Sequence, residues 1–268
     1  MLRGINAAHA RNIPTIAHLG ISWKTAAEAG IDAIVHAIPS SIEDLAVDQR
    51  GPYQEKARPG GFSFFEWWEH GDANSPEMQA IITALKENNV TVDATLIAFY
   101  LAFWGDQSDV RDEYLHLAHP AMIENWNALF RFDLGWTETD YQRAKAVWPK
   151  VLTFVKALYD AGVPLTLGTD QGNPFVAPGA SLIQEMELHA DAGIPHWGVL
   201  RMATTHAAKT LGLENNTGKI ASGFDADFVF TKSDPSEDFG AFHHAHSVVN
   251  NGSYYDATAL KTVTAKHP

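Results

Sequence analysis

Two histidines and one aspartate carry the chemistry that this sequence offers most plainly. His18 stands in TIAHLG, His36 in IVHAIP and Asp170 in LTLGTDQG, each within or just after a short apolar run. Imidazole and carboxylate suit Zn²⁺ and related divalent ions, and a catalytic centre of that kind keeps one position open for water. A carboxylate beside such a water can take its proton. The chain has no Cys and 13 His, so thiolate ligands, disulfides and a Cys nucleophile are excluded, and any transition-metal site must be built from His and carboxylate. Taken singly, each residue has an ordinary reading. A histidine near a strand end is more often a satisfied polar core residue, and the aspartate of Gly-Thr-Asp is more often a turn or a cap. Together they occupy equivalent ends of strand-like segments, which is where the catalytic groups of a parallel barrel gather.

Other candidates carry less. His116 and His119 are three residues apart and could share a helix face, but surface pairs of this kind are common. His243, His244 and His246 read as a solvated turn, and His206 as a packing residue. Lys24 and Lys56 lie in no strand. Phe99, Tyr100, Phe103 and Trp104 follow a strand end, where substrate loops gather, so Tyr100 and Trp104 are read as an apolar substrate wall. No Gly-x-Ser-x-Gly elbow and no phosphate-binding glycine loop is present, which speaks against a serine hydrolase of that type and against nucleotide cofactors.

The elements that must position these groups alternate. Residues 1–11 read as the end of a helix, and 15–19 as a buried strand after Pro14. Residues 24–29 form a helix closed by Gly30, and 32–38 a second strand. Residues 48–76, with Gly51-Pro52, Pro59-Gly60-Gly61 and the aromatics Phe62, Phe64, Phe65, Trp67 and Trp68, read as a long loop or lid. A helix over 76–89, capped by Ser75, leads to a third strand over 90–99. A helical, Trp- and Tyr-rich stretch over 106–160 precedes a fourth strand over 163–169. Helices over 181–192 and 196–211 follow. Lys219–Ile220, 226–231, 247–250 and 254–255 read as short antiparallel strands around turns such as Asn251-Gly252. Strands separated by helices imply a parallel sheet with crossover helices.

The 268 residues are 46% hydrophobic and 19% charged, the balance of a folded chain with a sizeable core. A net charge of −13 argues against nucleic acid as a partner, because phosphate binding needs a basic face. No apolar run is long enough to span a bilayer, and no signal peptide is evident, so neither a membrane nor secretion is expected and the chain reads as cytoplasmic.

Four segments, AHLGISWKTAAEAGIDAIVHAI, GVPLTLGTDQGNPF, PGASLIQEMELHADAGIPHWGVLRMATTHAAKTLGL and TGKIASGFDADFVFTKSDP, resemble the C-terminal part of the amidohydrolase superfamily, in its imidazolonepropionase/prolidase-like branch. The resemblance implies an α/β fold: an incomplete, half TIM barrel of parallel βα units equivalent to strands five to eight, with a small C-terminal β appendage. It implies a barrel domain over 1–217, with insertions at 45–75 and 105–160, and an appendage over 218–268. By the same resemblance His18 and His36 match the metal ligands of strands five and six. Asp170 matches the strand-eight aspartate that binds metal and acts as general base. Gly223, Asp225 and Asp227 match a structural signature of the family's β-sandwich.

The paired strand-one histidines and the bridging strand-four residue of that family are absent from this chain. One divalent metal per site, Zn²⁺ with Mn²⁺ or Co²⁺ as alternatives, is therefore expected rather than two. The implied activity is metal-dependent hydrolysis of an amide, ester, lactone or phosphoester bond, and the aromatic bias of the sequence points to a small hydrophobic substrate. A phosphotriesterase or phosphodiesterase activity in the same site is the alternative within that class, and a non-catalytic half-barrel subunit needing a partner chain is the alternative outside it. A four-stranded parallel half-sheet has two open edges and an uncovered inner face, so a homo-oligomer is expected to close it.

Overall fold

The computed structural model describes residues 1–56, 64–128 and 135–264. Along the chain run α1 (Leu2–His9), β1 (Ile16–Ala17), α2 (Trp23–Glu28), β2 (Ala33–Val35), α3 (Val47–Lys56), α4 (Phe64–His70), α5 (Pro76–Glu87), β3 (Thr91–Asp93) and α6 (Leu96–Phe103). Then come α7 (Ser108–Arg111), α8 (Pro120–Ala128), α9 (Glu138–Ala161), β4 (Leu165–Thr166), α10 (Ala180–Asp191), α11 (His196–Arg201) and α12 (Ala207–Thr210). The antiparallel strands β5 (Phe228–Phe230), β6 (Ser247–Asn250) and β7 (Ser253–Asp256) and the helix α13 (Ala257–Thr264) finish the chain. Two compact units emerge: residues 1–107 with 133–166, and residues 108–132 with 167–268.

The first unit holds a parallel sheet in the order β1-β2-β3-β4. Its strands are two or three residues long, shorter than the apolar runs that encode them. Register places Ile34, Val92 and Leu165 on one face, and all three are fully buried. Ala33, Thr91, Asp93 and Thr166 point to the other face. Among the described residues β1 and β4 each pair on one side only, so the sheet does not close into a barrel. The third strand is far shorter than the expected 90–99. Thr95 takes a left-handed backbone (φ 47°) and turns the remaining apolar residues into α6.

The expected loop or lid over 48–76 is overturned on either side of residues 57–63, which lie outside the described residues together with Phe62. Residues 47–56 and 64–70 are helices. For α4 the reason is burial: Phe65, Trp67 and Trp68 are almost wholly enclosed. Phe65 meets Trp136 at 4.9 Å and Trp68 meets Phe154 of α9 at 5.6 Å. Arg143 of α9 locks the pair by a two-pronged bond to Glu69, at 2.7 and 2.8 Å, with its guanidinium over the Phe65 ring. Ser75 caps α5 as expected, and Met78, Ile81, Ile82 and Leu85 of that helix fill the core. The helix α9 begins with a capping box between Thr137 and Asp140 and ends at left-handed Gly162.

In the second unit α10 packs on a 3₁₀ turn over Phe239–His244, and the ring of His196 lies 4.5 Å from that of Phe239. The helix over 196–210 carries a π-type segment at Met202–His206. Lys219–Ile220 forms no strand. Asn251 and Gly252 (φ 47° and 77°) make the hairpin turn between β6 and β7. Asp227 of the Gly-x-Asp-Ala-Asp segment accepts the Asn251 N–H at 2.7 Å, pinning that turn. No helix among the described residues is long and apolar enough to cross a membrane.

Candidate active site

Parallel strands bring their C-terminal ends to one edge of the sheet, and the candidate residues follow those ends. His18 comes directly after β1 and is exposed; His36 comes directly after β2 and is half-buried. The β2–β3 ladder continues beyond the strands, with His36 N–H donating to the Asp93 carbonyl at 2.8 Å and Ala37 N–H to that of Ala94 at 3.0 Å. The structure brings the two imidazoles together: their ring centroids lie 4.7 Å apart with planes at 68°. Nδ1 of His36 is 2.7 Å from the hydroxyl of Thr95, and the His36 ring meets Phe99 edge-on at 5.7 Å.

Left-handed backbone occurs after β2 and β3 in the first unit and, separately, at Asp170 in the second. His36, Thr95 and Asp170 have φ values of 72°, 47° and 52°. Left-handed backbone at non-glycine residues costs about 1–3 kcal/mol each and collects where function demands it. A histidine and a β-branched residue in that region on adjacent strand ends are therefore informative.

Asp170 belongs to the second unit, four residues past β4. It is exposed and opens a tight loop in which its carbonyl accepts the backbone N–H and side-chain Nδ2–H of Asn173. Phe175, also left-handed at 68°, lies under the Arg111 guanidinium and 6.0 Å from Trp126. The stretch 108–128 thus holds the far end of the loop that carries Asp170.

Tyr100 and Trp104 stack on each other at 4.5 Å, and they lie 5.7 and 5.8 Å from Trp148 of α9. The α6 ring that touches His36 is Phe99, which also meets Phe64 at 5.5 Å. Sequence reasoning did not single out Thr95 or Asp93. Asp93 ends β3 in register with Val35 and Thr166, and accepts a long hydrogen bond from the Thr166 hydroxyl at 3.4 Å. The available signal was a carboxylate and a hydroxyl, in Val-Asp-Ala-Thr, inside an apolar run. His243 stacks on Tyr114 at 5.2 Å in the second unit, and burial and Glu113 push the Tyr114 phenol up to about 12.

Two imidazoles this close fit two nitrogen positions of a divalent-metal site, and a hydroxyl on the other ring nitrogen of His36 is the kind of support such ligands carry. Among the described residues no group of three or more His, Asp or Glu side chains forms a complete metal cluster.

A parallel sheet with helical crossovers defines an α/β chain, and two of its histidines follow the C-terminal ends of neighbouring strands. Residues 1–252 match the model of the amidohydrolase family, and the chain belongs to that family. It is 40% identical over 78 residues to the imidazolonepropionase of Verminephrobacter eiseniae (strain EF01-2), a stretch covering 28% of this chain and 16% of that one. It is 39% identical over 80 residues to the amidohydrolase tasK of Hapsidospora irregularis, 30% of this chain and 8% of that one. Among solved structures, a bottromycin amidohydrolase superposes with a TM-score of 0.66 at 21% identity, over 97% of this chain and 53% of the other. An Xaa-Pro dipeptidase with bound methionine gives a TM-score of 0.59 at 20% identity, over 94% and 47%. The chain therefore spans about half the length of these solved relatives and less than a fifth of the curated ones.

Proposed function

We infer that this chain contributes to the catalytic centre of a metal-dependent amidohydrolase. The observation that carries the reading is the His18–His36 pair at the C-terminal ends of neighbouring parallel strands, in a chain of this family. His18 and His36 would hold a divalent cation, Zn²⁺ by the nature of its donors, with Mn²⁺ and Co²⁺ as alternatives. Bound there, the cation supplies an activated water near neutral pH and polarises the scissile bond. Asp170 would be the carboxylate that the family resemblance assigns to the metal and to the attacking water, taking a proton from that water and returning it to the leaving group. Phe99 presents an apolar ring beside His36, and Tyr100 and Trp104 extend the aromatic surface of α6, which favours a small hydrophobic substrate.

Amide bonds come first among the substrates, because the named relatives include a dipeptidase and amidohydrolases. Esters, lactones and phosphotriesters follow. Parallel assays of N-acyl amino acids, aryl esters and a phosphotriester on the Zn²⁺-loaded chain separate these, and failure of all of them, with no stoichiometric metal, would end the reading.

A second reading has its own support. Among the described residues the sheet pairs on one side only at β1 and β4. A half-barrel needs a second set of βα units, and a second copy of this chain, pairing β4 of each with β1 of the other, is the symmetric way to supply them. In this arrangement the chain is a subunit whose site forms only on assembly. Light scattering on size-separated protein tests it: a dimer or higher oligomer is expected, and a clean monomer excludes it.

A further inference from the structure

The structure also bears on the tautomer of the His36 ring. We propose that Thr95 is a positioning residue: its hydroxyl accepts a hydrogen bond from Nδ1–H of His36, fixes the neutral ring in that tautomer and reserves the Nε2 lone pair for a ligand. The proposal deepens the metal-holding role given to His36 above and rests on it for the direction of the bond, while the 2.7 Å contact between the two side chains is observed independently of it.

Three features of Thr95 converge. It occupies the N-cap position of α6, where a threonine ordinarily takes extended backbone and lends its oxygen to an amide of the first turn. Here its side chain caps no amide, and its φ is 47°. A β-branched residue rarely adopts that backbone, because its branched Cβ crowds the following carbonyl. What Thr95 has instead is the 2.7 Å contact with His36 Nδ1, in a position only 4% exposed, where water competes little. The prolonged β2–β3 ladder sets the meeting, since the bonds from residues 36 and 37 to residues 93 and 94 deliver His36 beside Thr95. His36 is left-handed too. Both the ordinary cap and the ordinary backbone are thus given up at a residue whose hydroxyl meets an imidazole nitrogen.

The chemistry follows from the two tautomers. A neutral imidazole with its proton on Nε2 offers a donor there, which repels a cation. With the proton on Nδ1, Nε2 offers a lone pair. The nitrogen that binds is decided by the hydrogen bond made by the other one. An unconstrained neutral imidazole prefers the Nε2–H form, so Thr95 must invert that preference.

The test reads the tautomer directly and needs no metal. In the ¹⁵N-labelled full chain at about pH 8, well above the ordinary imidazole range near 6.5, long-range ¹H–¹⁵N correlation reports the protonated ring nitrogen. His36→Gln identifies the His36 signals. The Nδ1–H form is expected in the unmodified chain and in Thr95→Ser. Thr95→Val keeps the shape without the hydroxyl, and Thr95→Gly removes it while accepting left-handed backbone freely. Both should move His36 to mainly Nε2–H. An Nε2–H ring in the unmodified chain, or no change in both hydroxyl-free variants, overturns the proposal. Zn²⁺ titration gives a second readout, with Kd raised about 10-fold or more in Val and Gly and restored in Ser. A tautomer that switches in a chain that binds no Zn²⁺ upholds the role of Thr95 and refutes the metal-holding role instead.

Discussion

Replacing Asp44 by Asn should make the protein more stable in neutral solution, and the size of the gain follows from where Asp44 sits. It closes a 3₁₀ turn over Ile42–Asp44, is 1% exposed, and accepts the Trp23 N–H at 3.2 Å. Burial raises its pKa to about 6, against the opposing hydrogen bonds of Ser22 and Trp23 and the nearby Arg50 charge. The folded value lies above the unfolded 3.8, so the stability linked to its proton is fully present below about 3.8 and is lost as pH rises through about 6. At about 1.4 kcal/mol per tenfold change in proton affinity, the ionised carboxylate costs about 3 kcal/mol at pH 8. A side-chain amide in its place has no charge to bury and keeps an acceptor for Trp23. Asp44→Asn should therefore gain up to about 3 kcal/mol at pH 8 and less than about 1 kcal/mol at pH 4. Urea unfolding followed by tryptophan fluorescence reads this, since Trp23, Trp67, Trp68 and Trp148 are buried in the same unit. A variant no more stable at pH 8, or a difference that does not change between the two pH values, would refute the reasoning.

His189 should act with the opposite sign: full burial holds its pKa down near 4, outweighing the bond from Nδ1 to the Glu185 carbonyl, so the stability linked to its neutral form is present above about 6.5 and drains away as pH falls toward 4. His189→Leu should flatten the acid side of the stability profile, removing a pH-dependent loss of about 3 kcal/mol, and an unchanged acid limb in urea midpoints would count against the assignment. Gly218→Ala should cost about 2 kcal/mol or more, because at φ +90° the new Cβ would lie 2.7 Å from that of Ala208 and 3.0 Å from the Thr204 carbonyl; a melting temperature equal to that of the parent would contradict it. Asp170→Asn should lower hydrolysis about 10²–10⁴-fold, as expected for loss of a general base. Its melting temperature should stay close to that of the parent, because the main-chain carbonyl that ties the loop to Asn173 is untouched by the change. Activity that survives the substitution would remove Asp170 from the mechanism.

The features that sequence disclosed were those with local causes. Apolar runs between helical segments revealed all four parallel strands, and a Ser-Pro start with period-3.6 apolar residues located α5. The Asn251-Gly252 turn and the strand over 247–250 were visible in the same way. The placement of His18 and His36 at strand ends was legible because each is a polar residue at the end of such a run, and the structure puts their rings 4.7 Å apart. What failed depended on contacts distant in sequence. Gly51, Pro52 and dense aromatics suggested a loop, yet Phe65 and Trp68 become helical by burying against Trp136 and Phe154, some 70 to 90 positions away. The run from Val90 to Phe99 looked like one strand because hydrophobicity does not register a left-handed turn at Thr95. Thr95 itself was invisible for the same reason: its importance lies in a hydrogen bond to a histidine 59 residues earlier.

Whether His18 and His36 hold one divalent ion in a hydrolytic site is open to direct measurement. Elemental analysis of the purified full chain, grown with Zn²⁺ and stripped of loosely bound metal, is set against the His18→Ala/His36→Ala double variant. Stoichiometric metal is predicted in the unmodified chain, and its loss in the folded double variant. A metal-free parent, or a double variant that keeps its metal, would contradict the assignment.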